Sequence, residues 1–325
     1  MNILVTGGLG YIGSHTVVKL IEEGHNPIIV DNLSNSSIDV LDKIKTLTGK
    51  EVVYHFIDLS VFSIEDVLAD IDCIIHFAAY KSVSESVKEP IKYFDNNITS
   101  TIKLLQAAQN MGIKKFIFSS SCTVYGEPDI YPVNENTPIK PAKSPYGLTK
   151  QICEEILQEV SKTGLNVVIL RYFNPIGAHP SGIIFEKPNG VPENLMPYIT
   201  GVIEGKYPNL KVFGNDYNTH DGTAIRDYID VNDLADAHVK AIKVTEKETY
   251  SVINIGSGNG YSVMDVLEAF KRNGFEIPYE ICPRRDGDIE KIFSDNSKAK
   301  SIMNWEPKKT IDDSVKYIIK TLHQS

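Results

Sequence analysis

Ile3-Leu4-Val5-Thr6-Gly7-Gly8-Leu9-Gly10-Tyr11-Ile12-Gly13 is the stretch that decides the fold. Ile3 to Val5 is a short apolar run bounded by Thr6-Gly7-Gly8, the pattern of a buried parallel strand. From Tyr11 to Glu23, Ile12, Thr16, Leu20 and Ile21 recur at helical spacing, and Gly24 stops them. Between the two lie Gly7, Gly10 and Gly13, a G-x-x-G-x-x-G spacing. Glycines at such a junction let the backbone turn tightly and approach a pyrophosphate, whose charge meets the helix N-terminus. The chain holds 22 glycines, so the spacing alone is weak; its place between a strand and a helix gives it force.

Pro27 to Val30 reads as the next strand, ending at Asp31, 18 residues after Gly13. An acid there binds adenosine ribose hydroxyls and repels a 2′-phosphate, which favours NAD over NADP. Val52 to Ile57, Cys73 to Phe77, Lys115 to Ser119 and Val167 to Leu170 read as further strands. Helices fit between them, notably Ile91 to Asn110 and Tyr146 to Lys162. The alternation predicts an α/β fold with a doubly wound parallel sheet over residues 1–174. Asp58 at the end of the third strand reads as an adenine-edge partner. The small residues of Phe77-Ala78-Ala79 allow close approach of the cofactor, and Lys81 follows that turn.

After Arg171 the texture changes. Pro175, Pro180, Pro188, Pro192 and Pro197, joined by Gly177, Gly182 and Gly190, break the regular alternation. Val231 to Val244 and Met264 to Arg272 read as helices and Val252 to Ile255 as a strand. Residues 175–325 therefore read as a smaller second region that returns strands to the first sheet.

The chemistry points to Tyr146 and Lys150, which share one helix face at i and i+4. A lysine beside a phenol favours phenolate, and an oxidised nicotinamide adds positive charge. Moving the phenol from ~10 toward ~7 takes about 4 kcal/mol of such stabilisation. That makes Tyr146 a base near neutral pH. A second Tyr-x-x-x-Lys, Tyr207 and Lys211, carries Pro208 and reads as loop. Ser119-Ser120-Ser121 sits at the carboxyl end of the fifth strand, where open α/β sheets bind ligands, and Ser121 can bond the same substrate oxygen as Tyr146.

Composition removes other classes. The 325 residues carry 33 Lys and Arg against 42 Asp and Glu, a net charge of −9. Such a chain does not sequester nucleic acid electrostatically. Its four cysteines, Cys73, Cys122, Cys153 and Cys282, form no C-x-x-C pair, and no histidine cluster has metal-ligand spacing, so no metal is expected. They read as reduced thiols of a cytoplasmic protein. No apolar run is long enough to span a membrane.

The glycine turn, Ser119 through Tyr125 and the Tyr146/Lys150 pair resemble the extended short-chain dehydrogenase/reductases. Asp31-Asn32-Leu33-Ser34-Asn35-Ser36, Ile75-His76-Phe77-Ala78-Ala79, Leu170-Arg171-Tyr172-Phe173-Asn174-Pro175, Gly177-Ala178-His179-Pro180, Asn194-Leu195-Met196-Pro197-Tyr198 and Arg226-Asp227-Tyr228 narrow the resemblance to its UDP-glucose 4-epimerase branch. The resemblance covers nearly the whole chain. It implies a Rossmann-type sheet, tightly held NAD, and reversible 4-epimerisation of UDP-galactose and UDP-glucose through a 4-keto sugar, with Ser121, Tyr146 and Lys150 catalytic. It further implies a cofactor lining of Gly7, Gly10, Tyr11, Ile12, Gly13, Asp31, Asn32, Leu33, Ser34, Asn35, Ser36, Asp58, Leu59, Phe77, Ala78, Ala79, Lys81, Asn96 and Phe173, together with the three catalytic residues. Lys81, Ser121, Tyr146, Asn174, Asn194, Leu195, Arg226, Arg285, Asp288 and Ile292 would hold the UDP-sugar, and the two arginines suit a dianionic diphosphate. A homodimer through the helices near 91–110 and 146–162 is the family expectation.

Two departures qualify the resemblance. Cys122-Thr123 stand where the related 4,6-dehydratases carry an Asp-Glu pair, which argues against dehydration. Ile292, at a position that is a bulky aromatic or a smaller residue in relatives, leaves room for an N-acetyl group, so UDP-GlcNAc and UDP-GalNAc form a second expected pair. Two rivals stand beside the leading reading: an epimerase acting mainly on N-acetylated or uronic-acid sugars, and a non-catalytic NAD- or sugar-binding regulator.

Overall fold

The structure is a computed structural model that describes residues 1–192, 194–285 and 288–322. In chain order its strands are β1 (Asn2–Thr6), β2 (Asn26–Asp31), β3 (Val53–Phe56), β4 (Cys73–His76), β5 (Lys115–Ser121), β6 (Asn166–Tyr172), β7 (Asn174–Ile176), β8 (Leu210–Phe213), β9 (Ile225–Asp230), β10 (Tyr250–Ile255), β11 (Gly260–Ser262), β12 (Tyr279–Cys282) and β13 (Lys291–Ile292). Its α-helices are α1 (Tyr11–Glu22), α2 (Val40–Thr48), α3 (Val83–Lys88), α4 (Pro90–Asn110), α5 (Pro145–Ser161), α6 (Leu195–Ile203), α7 (Val231–Val244), α8 (Val263–Arg272), α9 (Ser297–Met303) and α10 (Ile311–Leu322).

Seven parallel strands form the central sheet in the order β10-β6-β5-β4-β1-β2-β3. Val5 on β1 lies opposite Ile29 on β2 and Ile75 on β4. The apolar runs are continuous because helices cover both faces. Ile3 and Val5 pack with Val17 and Leu20 of α1 and Leu234 and Ala237 of α7. Leu4, pointing to the other face, packs with Leu104 and Leu105 of α4 and Leu157 of α5.

The fold follows the predicted alternation and extends it. Strand β10 returns from the later half of the chain to pair with β6, and α7 covers the sheet beside α1. A separate core over the later residues joins Met196 and Ile199 of α6, Val212 of β8, Phe270 of α8 and Val315 of α10. The proline-rich stretch still contains order: Pro197 is the third residue of α6, in the first turn, where a missing N–H breaks no intrahelical bond. Among the described residues no helix is long and apolar enough to cross a membrane.

Candidate functional site

From β1 the sheet runs through β2 and β3 on one side, then resumes at β4 on the other. A crevice opens above such a switch of strand order, and the glycine turn lies there. Gly7 has φ +68°, and a Cβ on it would lie 2.9 Å from the Ala78 backbone nitrogen. A Cβ on Gly13 would come within 2.2 Å of the Gly7 carbonyl oxygen. The turn is therefore closed to side chains at both points. Gly10 caps α1 with no side-chain hydrogen bond, so the first-turn N–H groups of α1 are left for an anion.

Asp31 is the last residue of β2 and is buried. One carboxylate oxygen accepts from the Leu9 N–H at 3.0 Å, the other from the Leu33 N–H at 2.9 Å and the Ser36 hydroxyl at 2.8 Å. A carboxylate has roughly four acceptor positions, so one stays open for a ribose hydroxyl. Asn32 donates to Asp58 at 2.9 Å, and the Ser34 N–H donates to Asn32 at 3.0 Å. These bonds shape the 31–36 loop, with Leu33 at φ +58°; Asn35 lies on it, and Leu59 is buried beyond Asp58. A dinucleotide fits this cradle: a turn a Cβ would fill, an uncapped helix start, and an acid at the ribose position.

The catalytic candidates converge on the next strands. Ser121 ends β5, and its side-chain oxygen accepts from the Thr123 N–H at 3.3 Å. Ser144 caps α5 through the Gly147 N–H at 3.1 Å, with Pro145 at the first helical position, which fixes where Tyr146 emerges. The Ser121 hydroxyl is near enough to the Tyr146 phenol to favour its ionised form. Lys150 is buried, donates to the Ser119 carbonyl at 2.7 Å, and lies 5.9 Å from the centre of the Tyr146 ring.

Burial pushes the Tyr146 phenol above its ordinary value, Tyr172 adds to that, and Ser121 only partly offsets it. Lys150 itself is lowered to about 8, chiefly by burial, with Cys153 and Glu154 opposing. Its ammonium is turned toward a carbonyl rather than the phenol. Tyr207 and Lys211 share no helix: Tyr207 stacks on Tyr198 at 4.5 Å and Lys211 lies on β8.

Three further residues hold this frame and were not singled out by the sequence. Asn97 on α4 accepts from the Tyr80 N–H at 2.8 Å, donates to the Tyr80 carbonyl at 3.0 Å, and reaches Thr149 at 3.1 Å. It ties the loop after β4 to both long helices, and the predicted Asn96 only donates to it at 3.0 Å. Glu154, one turn beyond Lys150, receives Ser120 and a bidentate bond from Arg171 of β6. Glu186 accepts from Lys81 and Asn194, each at 2.9 Å.

On the opposite wall, Phe173 is buried and Asn174 opens β7. Asn194 caps α6 and Leu195 begins it. Arg226 on β9 lies 3.7 Å from Asp288, and Arg285 stacks over Phe213 at 3.8 Å. Ile292 faces Arg226 in register and is 2% exposed, packed with Cys122, Val124, Tyr125, Val133 and Phe173.

The sequence profile of the NAD dependent epimerase/dehydratase family matches residues 3–256, which takes in the glycine turn, both catalytic elements and β10. The chain belongs to that family. Among its members, the chain is 48% identical over 320 residues to a UDP-glucose 4-epimerase of Bacillus subtilis (strain 168), covering 96% of this chain and 94% of the relative. The fold superimposes with TM-score 0.97, at 44% identity, on a UDP-glucose-4-epimerase from Stenotrophomonas maltophila with bound NAD and formylated UDP-arabinopyranose, covering 100% of this chain and 98% of the other. A Bifidobacterium longum UDP-glucose 4-epimerase in complex with NAD+ and UDP gives the same TM-score and identity, with 100% and 99% covered. The Rossmann-type sheet is thus the fold of an NAD-dependent epimerase family, and these family members carry their nucleotides on the same framework.

Proposed function

We propose that this protein interconverts UDP-galactose and UDP-glucose by transient oxidation at sugar C4. The observation that carries the reading is that Tyr146 and Lys150 share one face of α5, Lys150 donating to the Ser119 carbonyl of the strand that ends in Ser121, while Ile292, paired with Arg226, packs on Cys122 next to Ser121. The kinship with UDP-glucose 4-epimerases over nearly the full chain supports it.

The cradle would hold NAD as hydride acceptor; the 4-keto sugar would turn over and take the hydride back on its opposite face, while its oxygen recovers the proton from Tyr146. Tyr146 takes the proton of the C4 hydroxyl, and Ser121 shares that hydrogen bond. Lys150 holds the nicotinamide ribose and keeps positive charge within reach of the phenol. Gly7, Gly10, Tyr11, Ile12 and Gly13 take the pyrophosphate, while Asp31 and its loop take the adenosine. Arg226 and Arg285 meet the sugar nucleotide's diphosphate, whose two charges need local donors in a protein of net charge −9. Cofactor and enzyme leave each cycle unchanged, so NAD is resident and not consumed.

The protein works as a homodimer through α4 and α5, where Ile91 is 76% exposed and Leu148 40% exposed. Its four free cysteines suit a reducing cytoplasm. Mixing the purified protein with UDP-galactose, without added cofactor, tests the reading: UDP-glucose accumulates if it holds, and nothing changes if it fails.

A further inference from the structure

A nearly buried carboxylate stands in a site meant for a dianion. The Glu186 side chain is 9% exposed, and its Oε1 accepts from both Lys81 Nζ and Asn194 Nδ2 at 2.9 Å. It also lies close enough to Tyr11, in the glycine turn, for its charge to help hold that phenol up after burial has done so. A negative group here opposes the substrate's charge, so its presence calls for a positioning role. An exposed Lys–Glu pair contributes little, but a shielded carboxylate shared by two donors fixes both.

The segment around it is anchored beyond Glu186. Asn189 donates to the Ser34 carbonyl at 3.3 Å, and Lys43 lies over the Phe185 ring at 5.7 Å. One stretch of chain therefore touches the adenosine loop, the loop after β4 and the start of α6.

We propose that Glu186 is a positioning residue that makes Lys81 and Asn194 a single unit, coupling the cofactor side of the cleft to the UDP-sugar side. Lys81 belongs to the loop that closes β4, and Asn194 to the cap of α6. Both are donors, so neither anchors the other's nitrogen, and the shared carboxylate oxygen fixes the distance between them. This inference rests on the proposed UDP-sugar site.

The test is a double-mutant cycle read by calorimetry of UDP binding to the protein as purified with its cofactor. Lys81→Met and Asn194→Ala each weaken UDP binding about tenfold, and together they fall at least fivefold short of the product of the two effects. In the Glu186→Ala background the two effects multiply to within about twofold. Glu186→Gln, which keeps the acceptor but not the charge, gives a smaller departure than the parent and serves if Glu186→Ala does not fold. Effects that multiply in the parent, or a departure that persists without Glu186, overturn the inference and leave the proposed function standing. Failure of the parent protein to bind UDP overturns both.

Discussion

The Asp31 carboxylate accepts the backbone N–H of Leu9 at 3.0 Å, so the acid at the end of β2 holds the glycine turn that follows β1. The two halves of the dinucleotide signal are thus one mechanical unit. Asp31→Ala removes the acceptor for Leu9, Leu33 and Ser36 together. Each hydrogen bond to a charged group is worth about 1.5–3 kcal/mol, so the variant should purify with less than about a tenth of the parent's NAD. Absorbance of acid-released cofactor measures this; full NAD content would contradict it.

Ser121 favours ionisation of the Tyr146 phenol, and the two differ in proposed role. Tyr146→Phe removes the proton acceptor and should lower kcat by about 10²–10⁴ while UDP binding changes little. Ser121→Ala removes the proposed bond to the reacting sugar oxygen, worth about 1.5–3 kcal/mol, and should lower kcat by about 10–100-fold. Steady-state kinetics with calorimetry of UDP binding separates the two. Equal losses would mean that Tyr146 acts by geometry alone.

Glu154 and Arg171 are each 5% exposed in their side chains and clamp α5 to β6 below Lys150. Arg171→Met strands a buried carboxylate and should cost about 3–5 kcal/mol in chemical denaturation. Replacing both, with Glu154→Leu, should cost less than Arg171→Met alone, since no charge is left without a partner. A double variant less stable than Arg171→Met would contradict this reading.

His238 is fully buried on α7, with its Nε2 without a hydrogen-bond partner and its pKa lowered to about 4 by burial. The unfolded chain takes up this proton near pH 6.5 and the folded one only near 4, so acid favours unfolding across that window. Relative to the parent, His238→Leu should gain about 1.4 kcal/mol for each pH unit below 6.5, until about pH 4. Parallel denaturation curves at pH 7, 6 and 5 measure the difference. A constant gap would show that His238 takes up its proton over the same pH range folded as unfolded.

Ile292 lies in the cluster that joins Cys122, beside Ser121, to Phe173. If this wall admits an N-acetyl group, UDP-GalNAc is turned over along with UDP-galactose. Ile292→Tyr should then remove the first activity and leave the second. No turnover of UDP-GalNAc by the parent defeats the idea.

Much of this site is legible in the sequence because it is local. The β1–turn–α1 unit spans a few residues, and Gly10 and Gly13 answer to contacts inside it, whereas Gly7 meets Ala78 after β4. Asp31 is legible because a strand must end before its loop begins. The Tyr146 and Lys150 spacing is legible from helix geometry, but their electrostatics are not. Burial, set by the surrounding strands and helices, raises the phenol and lowers the lysine. Glu186 and Lys81 are 105 residues apart, and Asn97 reaches Thr149 across 52. No periodicity records such pairings. Strand β10 was foreshadowed by its apolar run, but its place beside β6 is set by packing.

The central claim is oxidation and reduction at one carbon with no loss of its hydrogen to solvent. Proton NMR of UDP-galactose with the purified protein in heavy water, without added cofactor, tests it most directly. The account predicts UDP-glucose that retains protium at C4. Deuterium at C4, or no conversion even after NAD is added, would contradict it.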